Sequence, residues 1–174
     1  MEQDKINRNY NSWVEINLDN AAYNIKNIRQ KLRADVKIMA IVKANGYGHG
    51  AYEISRVLIE NGADFLGVAS VYEGYKLRKS GIKNRIFITN ALLPDQVEEI
   101  IKLDLTPFIY TKDFAESLDK AARRAGKIVP VHIKIDTGMG RLGIAPEYFL
   151  DFITSLEKMK NLKKEGVLTH FAAS

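Results

Sequence analysis

The sequence predicts an α/β fold on a parallel sheet, and three observations lead there. Short apolar, β-branched runs alternate with amphipathic stretches from end to end. No linker or low-complexity stretch interrupts the alternation, and polar, ionisable residues stand at the ends of several of the apolar runs. Strands joined by helical crossovers lie parallel, and such a sheet either stays open and doubly wound or closes into a (β/α)8 barrel of the TIM type. Periodicity alone admits both closures. The polar strand ends favour the barrel, whose sites are built from the loops after its strands, whereas an open sheet gathers its ligand at one switch point. A complete barrel needs about 250 residues. With 174 residues, the expected object is an incomplete barrel of about six βα units.

The elements follow in order. Residues 13–18, Trp-Val-Glu-Ile-Asn-Leu, read as a candidate first strand. A helix opening near Asp19 would put Ala22, Ile25, Ile28 and Leu32 on one face. Residues 36–42 form the first long apolar strand, and a helix carrying Ile54, Val57 and Leu58 stops at Asn61-Gly62. Further strands are expected at residues 65–69, 86–89 and 107–110, with Pro94 suited to the first turn of an intervening helix. Asp113 is expected to cap a helix whose Phe114, Leu118, Ala121 and Ala125 share a face and which Gly126 ends. The last strands are residues 129–135 and 167–170, with Pro146 opening a helix between them.

Composition excludes several classes of protein. With 46% hydrophobic and 27% charged residues, the chain is ordinary globular material. The 26 Lys plus Arg against 21 Asp plus Glu leave a charge of +5. These cations are scattered rather than gathered in a stripe, which argues against nucleic acid as a partner. Absence of cysteine excludes disulfides and thiolate metal sites, and no metal is expected. The opening ten residues hold no apolar leader core, and no segment approaches the roughly 18 apolar residues of a membrane span. A cytoplasmic protein without membrane contact is therefore expected. No zincin H-E-x-x-H, hydrolase G-x-S-x-G or Walker lysine loop is present.

Three segments carry candidate chemistry. In residues 131–136, alternation puts Val131, Ile133 and Ile135 on one face and His132, Lys134 and Asp136 on the other. Both faces of a parallel sheet are normally covered, so three ionisable groups there form either a satisfied buried network or a site. The turn that follows, Asp136-Thr-Gly-Met-Gly-Arg-Leu-Gly143, would let backbone approach a ligand, with Arg141 as a planar donor to carboxylate or phosphate. At Val42-Lys43-Ala-Asn-Gly-Tyr-Gly-His-Gly50, an apolar strand ends in a lysine. Near low-dielectric walls such a lysine favours the free amine needed to attack a carbonyl. Taken alone, Lys43 better suits an exposed strand end, and Tyr47 a partly buried loop aromatic. His49 reads as a helix-entry or packing residue and His132 as structural. His170, closing the last strand, suits packing as well as catalysis.

Together the segments Ala40-Ile-Val-Lys-Ala-Asn-Gly-Tyr-Gly-His-Gly50, residues 132–143 and Glu165-Gly-Val-Leu-Thr-His-Phe-Ala172 resemble the alanine racemases, fold-type III enzymes dependent on pyridoxal phosphate. Residues 13–19 are similar to the opening of that family. The resemblance implies that Lys43 carries pyridoxal 5′-phosphate and serves as one of two bases at Cα. It implies that Tyr47 helps hold the phosphate, and that Arg141 lies near the phenolic oxygen and the substrate carboxylate. Lys134 matches a lysine often carbamylated in the family, which would turn a cation into an anion able to orient Arg141. His170 matches a histidine in the network beside the cofactor ring. The resemblance further implies interconversion of L- and D-alanine for peptidoglycan, in a homodimer whose partner supplies a tyrosine as second base. On this expectation residues 1–174 are the N-terminal part of the cofactor-binding barrel domain. The family's C-terminal β-rich domain is absent from them, and they would be inactive alone. Serine or broad-specificity racemases and a non-catalytic pyridoxal-phosphate-binding barrel are the alternatives.

Overall fold

The structure, a computed structural model, describes residues 11–173. One sheet holds six parallel strands in chain order: β1 (Met39–Ile41), β2 (Phe65–Val68), β3 (Ile86–Ile88), β4 (Leu105–Ile109), β5 (Val129–Lys134) and β6 (Leu162–Leu168). Helix α1 (Leu18–Lys31) precedes β1, and the one-turn α2 (Lys43–Tyr47) with α3 (Ala51–Glu60) follows it. The later crossovers carry α4 (Val71–Lys79), α5 (Val97–Lys102), α6 (Lys112–Arg124) and α7 (Phe149–Leu156). Each strand neighbours the next without the reversal of order that defines a doubly wound sheet, so the barrel-type strand order is the one observed. It is an incomplete barrel: β1 and β6 are the two edges.

Alternation along the strands separates two environments. Val42, Leu66, Val68, Ile86, Ile88, Ile109, Val131 and Ile133 pack with Leu77, Ile100, Phe114, Leu118 and Leu156 of the helices into one buried core. The opposite face is aromatic in its lower part. Phe65, Phe87, Phe108 and His132 form a chain of ring contacts across four neighbouring strands, at centroid separations of 5.5, 5.6 and 6.0 Å. Higher on that face, Met39 and Ile41 of β1 line the same cavity as Leu168 of β6, so the inner face is concave. His132 belongs to the aromatic layer, and burial foremost, with the charge of Arg85, holds its pKa below the ordinary value for histidine. Its ring fits only because Gly166 lies opposite: a Cβ there would come within 2.7 Å of Nδ1.

Several expectations need correction. No strand forms at residues 13–18. Trp13 and Val14 are exposed, no other strand pairs with this segment, and Asn17 instead caps α1 by accepting from Asn20 N–H at 3.0 Å. On α1 only Ile25 of the expected face is buried, while Ile28 and Leu32 remain exposed. The first strand is shorter than residues 36–42, because side chains take the bonds a ladder would use: Arg29 donates to Val36 O and Ile38 N–H to Asp64. Asp113 is not a cap. The helix starts at Lys112 after Thr111, leaving Asp113 in the first turn, where its charge suits the positive end of the helix dipole. Ala125, at the end of that helix, is exposed. Strand β6 begins five residues before residue 167, since parallel pairing with all of β5 holds the charged run Lys163-Lys-Glu165 extended. Pro94 and Pro146 each open a 3-10 turn that leads into a helix, as their positions suggested.

Candidate active site

The site forms at the C-terminal ends of the strands. After β1, Val42 N–H bonds Gly67 O at 2.8 Å, and the chain then turns through four consecutive left-handed residues, Ala44, Asn45, Gly46 and Tyr47, with φ of 51, 56, 64 and 54°. Such a turn is unusual for residues with a Cβ and persists only where its surroundings over-determine it. Asn45 accepts from Ala51 N–H at 3.0 Å, closing the turn onto the start of α3. His49 Nδ1 lies 2.8 Å from Gly46 O, so His49 belongs to the turn's own bonding. Lys43 begins this turn half-buried, and Tyr47 ends it exposed.

At the end of β5, Lys134 is buried, with 7% of its surface exposed. Among the described residues its ammonium makes no hydrogen bond or ion pair. Burial foremost, then the charge of Arg141, holds its pKa below the ordinary value for lysine, with Asp136 opposing. The Asp136 carboxylate is engaged by the glycine-rich loop. It accepts from Gly138 and Gly140 N–H at 3.0 Å each and from Arg141 N–H at 3.1 Å. Those backbone donors, Gly140 first, hold the Asp136 carboxyl below the usual carboxylate range. The loop is thus a support whose amides are already engaged, not the open backbone cradle that its glycines suggested. What it presents is the Arg141 side chain. Thr137 Oγ1 donates to His170 O at 3.4 Å, fastening the loop to the end of β6.

Lys43, Tyr47, Lys134, Arg141 and His170, drawn from three widely separated segments, all line one cavity of about 220 Å³. Thr89, Asn90 and Thr169 complete its polar wall, and Ile41, Phe108 and Leu168 its apolar part. Three cationic side chains and no carboxylate face this space. Sequence reasoning passed over Thr89, Asn90 and Thr169, although their places just after β3 and β6 follow the rule that barrel sites sit at strand ends. His132 and His49 do not reach the cavity.

Residues 16–174 match the family model described as alanine racemase, N-terminal domain. The chain belongs to the alanine racemase N-terminal domain family. The alanine racemase of Halothermothrix orenii is 38% identical over 163 residues, covering 94% of this chain and 43% of that protein. Alanine racemase 1 of Clostridium acetobutylicum is 42% identical over 93% of this chain and 42% of its own length. Among solved structures, alanine racemase of Clostridium difficile 630 superposes with a TM-score of 0.88 at 38% identity, over 92% of this chain and 42% of that one. The Bacillus anthracis enzyme with bound L-Ala-P gives a TM-score of 0.85 at 34% identity, over 92% of this chain and 42% of that one. The family membership carries the barrel-type α/β fold with it. This chain spans under half the length of these relatives. Among the described residues no helix is long and apolar enough to cross a membrane.

Proposed function

We propose that this chain provides the lysine-bearing part of a pyridoxal-phosphate-dependent alanine racemase, residues 1–174 forming the N-terminal part of its barrel domain. The observation that carries the reading is the convergence of Lys43, Tyr47, Lys134, Arg141 and His170 on one cavity with no Asp or Glu among its lining residues. The residues present fit the cofactor. An anionic phosphate and a substrate carboxylate find Arg141, Lys43 and the donors of Tyr47, Thr89, Asn90 and Thr169, and the apolar part of the wall accepts a flat ring. When bound, the cofactor supplies a sink for the negative charge that develops at Cα.

Each residue then has a task. The Lys43 amine holds the cofactor and moves a proton to or from Cα on one face. Tyr47 donates its phenol to the phosphate. The Arg141 guanidinium, on a loop stiffened by Asp136, stabilises negative charge at the phenolic oxygen and the substrate carboxylate. His170 takes part in the hydrogen bonding beside the ring. Lys134 reacts as the neutral amine with carbon dioxide, losing a proton, to give a carbamate that pairs with Arg141. Its burial without a partner and its lowered pKa support this, since both favour the reactive amine. The second base is a tyrosine of a partner chain in a cytoplasmic homodimer, and D-alanine for peptidoglycan is the product.

In the test, a protein of the relatives' length is loaded with pyridoxal phosphate, the absorption of the lysine-bound cofactor is recorded, and racemisation of alanine, serine and lysine is compared. Lys43→Ala is expected to abolish the absorption and the activity, with alanine the preferred substrate. Retained absorption in that variant would remove the assignment of Lys43. Preference for serine would indicate the broader-specificity relatives, and stoichiometric binding without turnover a cofactor-carrying barrel. The 174-residue chain alone is expected to racemise little or nothing.

A further inference from the structure

The left-handed turn after Lys43 is held almost wholly by bonds within residues 42–51. Gly46 N–H donates to Val42 O at 2.9 Å, Gly48 N–H to Ala44 O at 3.1 Å and Gly50 N–H to Asn45 O at 3.0 Å. Such local bonds fix the shape of a turn but not its place on the barrel. Besides the bond from Val42 N–H to Gly67 O at the start of the turn, one side chain supplies that link. Glu73, in the first turn of α4, accepts from Ala44 N–H at 2.9 Å with Oε1 and from Ala69 N–H at 2.7 Å with Oε2. A single carboxylate therefore joins the residue next to Lys43 to the residue just after β2.

We propose that Glu73 is a positioning residue for Lys43, its carboxylate fastening the strained turn to the end of β2 so that the lysine amine is held toward the cavity. The inference rests on the reading of Lys43 as the cofactor lysine and extends it to the residue that aims that lysine. Ser70-Val-Tyr-Glu73 also spells a helix-capping pair, and Ser70 Oγ does accept from Glu73 N–H at 3.2 Å. In a simple capping box, however, the glutamate returns to the amide of the cap residue itself. Here it reaches one residue further, to Ala69, and gives its other oxygen to Ala44. Three of the four left-handed residues carry a Cβ and are costly in that conformation, so a turn without this anchor has a reason to relax. The helix N-terminus stabilises the carboxylate in place.

Two measurements on the cofactor-free protein test this, each on wild type, Glu73→Ala, Glu73→Gln and Ser70→Ala. Amide hydrogen exchange by NMR is expected to quicken at Ala44 by at least about tenfold in Glu73→Ala, the loss of a charge-assisted hydrogen bond. Glu73→Gln, which keeps the length and one acceptor, should fall between. Ser70→Ala, which weakens only the cap, should leave Ala44 as in wild type. The second measurement is reductive labelling of Lys43 with pyridoxal phosphate and cyanoborohydride, read by peptide mass spectrometry against the exposed lysines. The amine condenses with the aldehyde and releases water, and hydride from cyanoborohydride makes the link permanent. Labelling of Lys43 should fall about tenfold in Glu73→Ala and not in Ser70→Ala, in keeping with one lost charge-assisted bond. Formaldehyde in place of pyridoxal phosphate reports the same amine without the cofactor. If wild-type Lys43 labels no better than surface lysines with pyridoxal phosphate, the cofactor reading fails while the formaldehyde and exchange results still judge Glu73. Unchanged labelling in Glu73→Ala, with or without faster exchange, overturns the proposal, as does the same loss in Ser70→Ala. Should Glu73→Ala not fold by circular dichroism, Glu73→Gln is judged by the same criteria.

Discussion

Asp64 shows what one residue can do at the far end of the strands from the cavity. Just before β2, its carboxylate accepts from Ile38 N–H at 2.8 Å and pairs with Lys37 at 2.9 Å and Arg29 at 3.0 Å, so α1, the approach to β1 and β2 meet on one side chain. The Ile38 amide foremost, then Lys37 and Arg29, holds its pKa below the ordinary 3.8, with burial opposing. A carboxyl depressed in the folded state contributes stability that is present above pH 3.8 and lost as the pH falls through the folded value. Asp64→Asn is expected to destabilise the chain by about 1–3 kcal/mol at neutral pH. The gap to wild type should shrink as the pH drops below 3.8. Denaturant titrations at neutral and at strongly acidic pH measure this, and an undiminished gap in acid would contradict the role of the charge. Nothing in the sequence near Asp64 announced it, because its partners lie 26 to 35 residues away. The convergence of Lys43, Tyr47, Lys134, Arg141 and His170 on one cavity was legible because each sits in a motif or at a strand end. Glu73 carried only the signature of a helix cap, and its bond to Ala44 spans 29 residues.

At the scale of elements, legibility followed how much of the bonding was local. Strands β2 to β5 lie within two residues of the bounds expected from the sequence, since their buried positions are apolar at nearly every residue or at every second one. Most of strand β6 was not legible because three of its first five residues, Leu162-Lys-Lys-Glu-Gly166, are charged. Those charges are accommodated outside the core: Lys164 donates to Leu156 O at 3.2 Å, and Glu165 pairs with Arg85 at 2.6 Å and Lys163 at 2.8 Å. The loop after β5 illustrates the reverse case, in which the glycines were visible but their purpose was not. Gly143 lies against the backbone of the strand end, where an added Cβ would stand 2.5 Å from Asp136 N and 2.8 Å from Ile135 C, and its φ is +132°. Backbone cannot move aside as a flexible side chain does. Gly143→Ala should therefore cost about 1–3 kcal/mol and displace the loop that carries Arg141. Thermal unfolding reads the first effect. Weaker pyridoxal phosphate binding, with Lys43 still competent to form the link, reads the second. A variant with wild-type stability and binding would show that the close packing of Gly143 is dispensable.

At the scale of all the described residues, the order of strands makes the cavity a joint property of the two strands paired on one side within them. Strands β3 and β4 are paired on both sides, whereas β1 and β6 are each paired on one side. Met39, Ile41 and Lys43 come from β1 and the residue following Val42, while Leu168, Thr169 and His170 come from β6 and its end, so the two edges face each other across the site. Local opening is easiest where backbone bonds are fewest, and amide exchange should be slowest in β3 and β4 and fastest in β1 and β6. A ligand that contacts both edges opposes that opening, and binding to the folded state alone adds about 2.7 kcal/mol when its concentration is 100 times Kd. Pyridoxal phosphate is therefore expected to raise the melting temperature and to slow exchange preferentially in β1, in the turn from Ala44 to Tyr47 and in β6, with little change in β3 and β4. Hydrogen exchange followed by mass spectrometry, with and without pyridoxal phosphate, resolves these segments. Uniform protection would indicate binding that stabilises the fold without engaging the edges, and protection confined to β1 would mean that Lys43 takes up the cofactor without help from Arg141 and His170.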